Sequence, residues 1–144
     1  MINFSDDLSV IGIYDAGVPN LERIVLRADK PVDLAGYLLV IALRGQAGGG
    51  SIPLRDNMLW LGNTSIDAGD WVYVYTAPGE AQTSALPNNP NKVVSLYWGK
   101  HQTVFQGTHL TAALIKIEHV QYPAYSSQFA LGQQQTGYPV LGSS

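Results

Sequence analysis

Three histidines are the side chains in this sequence that most readily suggest a metal site. They are His101, His109 and His119, spaced by eight and ten residues. These spacings place the imidazoles on or beside separate strands, whereas metal sites recognisable from sequence combine closely spaced ligands, often including cysteine. The chain contains no cysteine. We therefore expect surface or turn histidines, no disulfide, and no metal or other cofactor.

Acidic residues and serines offer little further chemistry. Asp67 and Asp70 could contribute oxygens to a calcium ion from one loop, but the Asp-x-Asp-x-Asp-Gly pattern is absent and aspartate is common in turns. Ser51 follows three glycines without the lysine of a phosphate-binding loop, and no serine lies in a Gly-x-Ser-x-Gly motif. Because no acid and base are paired, we expect that the protein is not an enzyme.

Aromatic residues alternate with valines in one predicted strand. Trp71, Tyr73 and Tyr75 share one side of this strand, and Val72 and Val74 share the other. If the valines face the core, the aromatic strip lies outside, where it could stack sugars or form the centre of a protein interface. The alternative is an aromatic core with outward valines.

The last segment, residues 121–144, has aromatic residues at intervals among Ser, Gln and Gly. Tyr122, Tyr125, Phe129 and Tyr138 follow no helical or strand period, so the segment cannot form a core of its own. We predict an extended C-terminal arm that docks through these residues, either on a neighbouring subunit or on its own domain.

The remaining chain is rich in strand patterns. Residues 21–28 alternate like a half-buried strand, and Tyr37–Leu43 is a continuous apolar run typical of a strand buried on both faces. Other strands are predicted at Leu8–Tyr14, Met58–Leu61, Trp71–Thr76, Val93–Trp98, Thr103–Gln106 and Thr111–Val120. Residues 77–92, rich in Pro and Asn, are predicted to be a long loop. Almost no helix is expected, which indicates an all-β fold.

Several of these segments, in this order, resemble the lamin tail domain family. Glu22–Arg27 runs into the step Val32–Tyr37, the turn Ala68–Asp70 precedes a Val-rich strand, and Leu96–Trp98 corresponds to a Leu-Tyr-Trp-like strand. Phe105–Thr108 differs from the Trp-Asn-Asn-x-Gly-Asp stretch common in that family. The resemblance implies an immunoglobulin-like antiparallel β-sandwich that serves as a scaffold and carries no catalytic motif.

The predicted domain organisation has three parts. Residues 1–20 form an N-terminal arm or edge strand, residues 21–120 the sandwich, and residues 121–144 the C-terminal arm. Gly36 and Gly69 are expected to adopt turn conformations that a Cβ would hinder. Leu34 and Trp98 are expected to fill the gap between the sheets.

Composition bounds the function. Charged residues make up only 13% of the 144 residues, against roughly 25% in typical proteins, which suits a subunit that buries much of its surface against neighbours. The net charge of −3 without a basic patch disfavours nucleic acid, and no signal peptide or membrane span is evident, so we expect a soluble chain. These features predict a non-enzymatic structural protein that assembles with itself or with a larger protein lattice, for example as a capsid decoration or tail protein of a phage virion. A module that binds carbohydrate or protein through exposed aromatics is the alternative.

Overall fold

The computed structural model describes residues 7–45 and 52–124, and this part of the chain is almost entirely strand and loop. The all-β prediction is confirmed. The strands are β1 Leu8–Tyr14, β2 Arg23–Ala28, β3 Val32–Asp33, β4 Tyr37–Leu43, β5 Ile52–Trp60, β6 Ser65–Ile66, β7 Trp71–Tyr75, β8 Gln82–Ala85, β9 Lys92–Tyr97 and β10 Leu110–Lys116. A single 3₁₀ turn, Leu34–Gly36, separates β3 from β4.

Two main sheets enclose one hydrophobic core. The five-stranded sheet has the order β1-β2-β7-β9-β8, and the three-stranded sheet has the order β10-β4-β5. A small ladder joins β3 to β6. Leu26 and Val72 from the larger sheet belong to the same buried cluster as Leu39 and Ile41 from the smaller one. Leu34 is fully buried in this cluster and Trp98 packs against it, which is the arrangement expected of a β-sandwich.

The N-terminal segment contributes an edge strand. Strand β1 pairs antiparallel with β2, with an irregularity between Val10 and Gly12, and Leu8 is buried in the core. Of the two alternatives for residues 1–20, the described part from residue 7 onward is therefore integrated into the sheet. Within the described part of the chain, β1 pairs only with β2 and is therefore one edge of the larger sheet.

The larger sheet is mixed rather than antiparallel, which corrects the sequence prediction. Strands β7 and β9 run parallel, while their other neighbours in this sheet are antiparallel. The cause is β8, which lies in residues 77–92, where only a loop was predicted. It carries the chain back past β7, so β9 restarts in the same direction as β7 and is inserted beside it. All four β8 side chains are exposed, and an apolar alternation cannot reveal a strand that has no buried face.

The segment Thr103–Gln106 is not a strand, although its apolar residues suggested one. The backbone N–H groups of Val104 and Phe105 donate to the carboxylate of Glu22 instead of to a neighbouring strand. Val104 and Phe105 still contribute to the core, so the apolar residues are buried without a ladder. The sequence pattern therefore predicted the burial of these residues correctly, but it predicted their backbone conformation wrongly.

Two strand limits and one glycine also differ from the predictions. Strand β10 ends at Lys116 rather than Val120, because its partner β4 begins at Tyr37 after the 3₁₀ turn. Strand β5 begins six residues before Met58, hidden from an apolar pattern by its proline and polar residues. Gly69 has a φ of +90° and a Cβ there would lie 2.8 Å from an Asn91 side-chain oxygen, whereas a Cβ on Gly36 would meet nothing within 4 Å.

The buried carboxylate of Glu22 connects three segments at one end of the sandwich. One oxygen accepts hydrogen bonds from Thr76 Oγ1 at 2.8 Å and Val104 N at 2.6 Å, and the other from Gly17 N at 2.8 Å and Phe105 N at 2.9 Å. Burial alone would raise the pKa of Glu22, but these donors lower it below its usual value. The turn before β2, the end of β7 and the loop after β9 are thereby held together.

Replacing Glu22 is expected to destabilise the fold strongly, even by the isosteric Glu22→Gln. Each carboxylate oxygen receives at least one backbone N–H, so either orientation of the new amide turns its NH₂ group against a buried donor. We expect a loss of about 3 kcal/mol in the free energy of unfolding, measured by urea denaturation. Glu118→Gln, an exposed change of the same type, serves as the control. Equal stability of the two variants would contradict a structural role for Glu22.

Candidate interaction surfaces

Strand β7 has its valines in the core and its aromatic residues outside. Val72 and Val74 are fully buried, whereas Trp71, Tyr73 and Tyr75 remain partly exposed on the outer side of the five-stranded sheet. The structure thus decides between the two alternatives left open by the sequence, and it excludes an aromatic core at this strand.

Neighbouring strands extend this outer surface. On β2, Arg23 lies opposite Tyr75 and Arg27 lies opposite Trp71. On β9, Tyr97 lies opposite Tyr75. We call this surface the aromatic face, formed by Tyr14, Arg23, Val25, Arg27, Trp71, Tyr73, Tyr75, Val93, Ser95 and Tyr97.

Arg23 lies at the centre of one half of the aromatic face. Its guanidinium carbon is 5.7, 5.5 and 5.9 Å from the ring centroids of Tyr14, Tyr73 and Tyr75. It also forms an ion pair with Asp15 at 2.7 Å. Its buried Nε meets no hydrogen-bond acceptor among the described residues. Cation–π contacts of this kind bind the three tyrosines to one charge.

Trp71 and Tyr97 on the aromatic face also have contact partners. Arg27 lies 5.6 Å from the ring of Trp71, and Tyr75 stacks on Tyr97 with centroids 5.1 Å apart and an angle of 14° between the ring planes. A sugar that stacked on Trp71 would compete with Arg27 for the ring. The combination of Arg, Tyr and Trp is nevertheless typical of the centres of protein interfaces.

The loop that was considered for calcium is closed by a lysine. Asp70 is buried, and its carboxylate accepts hydrogen bonds from Asp67 N at 2.8 Å, Asn91 Nδ2 at 2.9 Å and Lys92 N at 3.0 Å. The Lys92 ammonium lies 3.0 Å from the Asp70 carboxylate and 3.8 Å from that of Asp67. The charge that a calcium ion would neutralise is therefore already neutralised by Lys92.

These contacts shift the pKa values of both Asp70 and Lys92. Burial alone would raise the pKa of Asp70, but hydrogen bonds from Asp67, Asn91 and Lys92 lower it to about 2. The hydrogen bond and charge of Asp70 raise the pKa of Lys92. The carboxylate stays ionised over the whole physiological range, so it stabilises structure and is not suited to exchange protons near neutral pH.

The histidines lie apart on the surface. His101, His109 and His119 are all exposed, as predicted. Within residues 7–45 and 52–124, no group of three or more His, Cys, Asp or Glu side chains is arranged to hold a metal ion.

A groove of about 320 Å³ lies beside the end of β7. Its lining includes Pro19, Thr76, Pro78, Lys100 and His101. Lys100 and His101 are the ionisable residues of that lining, and no carboxylate accompanies them. The groove therefore lacks the paired acid and base that general acid–base catalysis would use.

The outer side of the three-stranded sheet is apolar at the eight positions named below, and the sequence analysis did not identify this surface. Across the strands, one row joins Ile115, Leu38 and Trp60, and the next joins Ala113, Val40 and Met58. A third row joins Thr111 to Ala42. We call the eight side chains the apolar face: Leu38, Val40, Ala42, Met58, Trp60, Thr111, Ala113 and Ile115.

The apolar face is exposed on its two flanking strands, whereas Val40 and Ala42 on its central strand are buried. Met58 is 59% exposed, Trp60 49% and Ile115 39%, and none of the eight side chains is charged. The indole N–H of Trp60 donates to the carbonyl oxygen of Ala35 at 2.8 Å, which fixes this ring at one end. Antiparallel sheets with one solvated side usually alternate apolar and polar residues, so an apolar outer side departs from the usual pattern.

The signal for the apolar face was present in the sequence but was assigned otherwise. The run Tyr37–Leu43 correctly predicted a strand that is apolar on both sides. The sequence pattern predicted a strand buried on both faces, and the structure confirms this for most of β4, since Val40 and Ala42 on its outer side are 1% and 0% exposed. Met58 and Trp60, two residues apart on β5, are the second half of the same signal.

The beginning of the C-terminal segment is solvent-exposed. Each residue from 118 to 124 is exposed, and Tyr122 is 80% exposed. The other predicted anchors of the arm, Tyr125, Phe129 and Tyr138, lie outside the described residues.

Comparison with known proteins identifies no family. No protein-family model and no curated protein matches the chain. The resemblance to the lamin tail domain therefore stays a prediction. In the described residues, no helix has the length and apolar character needed to cross a membrane.

Acid is expected to weaken the fold through Asp70. Its pKa is lower in the folded chain than the usual 3.8, so the unfolded chain binds the proton more readily. The contribution is present above pH 3.8 and is lost as the pH falls toward 2, and it amounts to about 2 kcal/mol. Urea unfolding across this range should show the decline, and Asp70→Asn should be less stable at neutral pH with a smaller decline. An identical pH dependence in Asp70→Asn would refute this assignment, and Glu118→Gln serves as the control.

Arg23 is expected to stabilise the aromatic face beyond its ion pair. Arg23→Ala removes the contacts with three rings and with Asp15, and we expect a loss of about 1–2 kcal/mol in unfolding free energy. Arg23→Lys keeps the charge but not the planar group, so it should recover only part of the loss. Lys30→Ala, at an exposed position in the turn after β2, is the matched control. If Arg23→Ala unfolds at the same urea concentration as Lys30→Ala, the ring contacts contribute nothing.

Proposed function

We propose that this chain is a non-enzymatic structural subunit that associates with copies of itself through the apolar face. The observation that carries the proposal is the exposure of Met58, Trp60 and Ile115 on a sheet side whose eight described side chains carry no charge. The core is formed by the other side of that sheet, so these exposed side chains are not part of the core cluster.

Hydrophobic burial supplies a driving force for this association. Apolar surface removed from water contributes about 25 cal/mol per Å² before the costs of association are subtracted. The low charge of the whole chain acts in the same direction, since only 13% of its residues are charged and few charges must lose water at a contact. The two buried carboxylates, Glu22 and Asp70, are satisfied internally and place no demand on a partner.

The setting that suits such a subunit is a protein lattice. A small all-β domain with an apolar surface and a C-terminal segment rich in Ser, Gln and Gly has properties that suit a capsid decoration or tail protein of a phage virion. This placement is part of the proposal and rests on size, composition and the apolar face, not on a motif.

Recognition of a carbohydrate or protein ligand by the aromatic face is the second candidate function. It is favoured by the partly exposed rings of Trp71, Tyr73 and Tyr75 on one flat sheet side. Carbohydrate binding is the less favoured candidate, because a sugar that stacks on Trp71 must displace Arg27 from its ring.

Charges placed on the apolar face are expected to dissociate the assembly. In Met58→Lys with Ile115→Lys, two exposed positions receive ammonium groups, so association should fall while folding is kept. The native mass by light scattering should drop to that of a single chain, 15.5 kDa.

The matched control is Val18→Lys with Leu21→Lys, which makes the same kind of change at exposed apolar positions in the turn before β2. Far-ultraviolet circular dichroism verifies that both variants fold. Dissociation by the control alone, or an unchanged mass in the Met58 and Ile115 variant, would refute the apolar face as the contact.

A further inference from the structure

We propose that the apolar face of one copy receives residues 125–144 of a second copy. This inference rests on the proposed function and names the segment that occupies the face. It would make the contact an exchange of C-terminal arms rather than a flat packing of two sheets.

The size of the apolar face favours a segment over a second sheet. Three strands about 4.8 Å apart and three outward rows about 7 Å apart give a face of roughly 300 Å². Only part of it is accessible, because Val40 and Ala42 at its centre are already buried. A stable interface between two globular partners needs about 800 Å² on each side. An extended segment is an occupant of matching size, and an exchange between two copies would cover both faces at once.

The C-terminal segment leaves the fold at the border of this face. Strand β10 is an edge strand, and its residue Ile115 belongs to the same row as Leu38 and Trp60. The strand ends one residue later, at Lys116, and the C-terminal segment follows it. An arm that starts beside one copy's face is close to the corresponding face of a copy packed against it.

The first residues of the arm do not lie on their own domain. Residues 118–124 are all exposed, and Tyr122, the first aromatic anchor, is 80% exposed. A segment that folded back onto its own sandwich directly after β10 would bury this ring. The twenty residues that follow can extend over at most about 70 Å, which is ample for reaching a neighbour.

The chemistry of the arm matches that of the face. Residues 121–144 include no Asp, Glu, Lys or Arg, so no charge has to lose its water on an apolar surface. Tyr125, Phe129 and Tyr138 supply large rings at intervals, separated by Ser, Gln and Gly. Aromatic anchors that fill gaps beside Met58 and Trp60 would provide most of the binding energy, as hot-spot residues do.

Two full-length variants and one cross-linking experiment test the proposal. The arm variant is Phe129→Ser with Tyr138→Ser, and its control is Ser126→Ala with Gln134→Ala. The face variant is Met58→Lys with Ile115→Lys. Sedimentation equilibrium measures the association of each variant and of an equal mixture of the arm and face variants.

The expected result is that the arm variant and the face variant each associate more weakly by about tenfold or more, the loss typical of an anchor residue. Mixing them should restore a two-chain species, because the intact arm of one variant meets the intact face of the other. If the arm variant associates like the unmodified chain while the face variant dissociates, the inference fails and the proposed function stands. Dissociation of the arm variant alone overturns the assignment of the face, and no change in either variant overturns both proposals.

Photo-cross-linking identifies the contact directly, without any variant that disturbs folding. Phe129→p-benzoylphenylalanine is introduced into the full chain, and ¹⁵N-labelled and unlabelled copies are mixed before illumination. We expect cross-links of mixed isotope composition between residue 129 and the peptide containing Met58 or Trp60. Cross-links confined to single copies, or directed to another part of the sandwich, would overturn the proposal.

Discussion

Two buried carboxylates hold the pair of strands on which the larger sheet is built. Glu22 immediately precedes β2 and Asp70 immediately precedes β7, and these two antiparallel strands lie side by side at the centre of the domain. Each carboxylate collects donors from segments distant in sequence, Val104 and Phe105 in one case, Asn91 and Lys92 in the other. Removing either group would leave buried donors without partners, so the irregular loops depend on these two charges as much as the strands do.

The placement of charge explains why the outer surfaces are so apolar. At the ends of strands, Lys92 pairs with Asp70 and Lys116 with Asp7, whereas the pair of Arg23 with Asp15 lies on the aromatic face. The charged residues among the ten of the aromatic face are two arginines in contact with rings, and the eight described side chains of the apolar face include none. With only 13% charged residues, the chain has few charges to place on its two outer sheet sides.

Much of the fold could be predicted from the sequence, because a buried side chain leaves a regular pattern. Strands β2, β4 and β7 were predicted within one or two residues, since each has buried apolar positions at spacing two or in a continuous run. Strand β8 has no buried side, so the apolar pattern missed a strand that exists. Thr103–Gln106 contributes buried apolar residues without strand pairing, so the same pattern predicted a strand that does not exist. The parallel pairing of β7 with β9 followed from β8 and was missed with it.

The candidate surfaces were predictable only in part. The alternation in β7 indicated an aromatic strip, but not the arginines that β2 places on it, because strand pairing is not visible in a single strand. The apolar face arises from three strands whose register brings Ile115, Leu38 and Trp60 into one row. The measurement that tests the central claim most directly is the native mass of the unmodified chain in sedimentation velocity over a wide range of concentrations. An assembling subunit predicts a mass that rises above 15.5 kDa with concentration, and a constant mass of 15.5 kDa would contradict self-association.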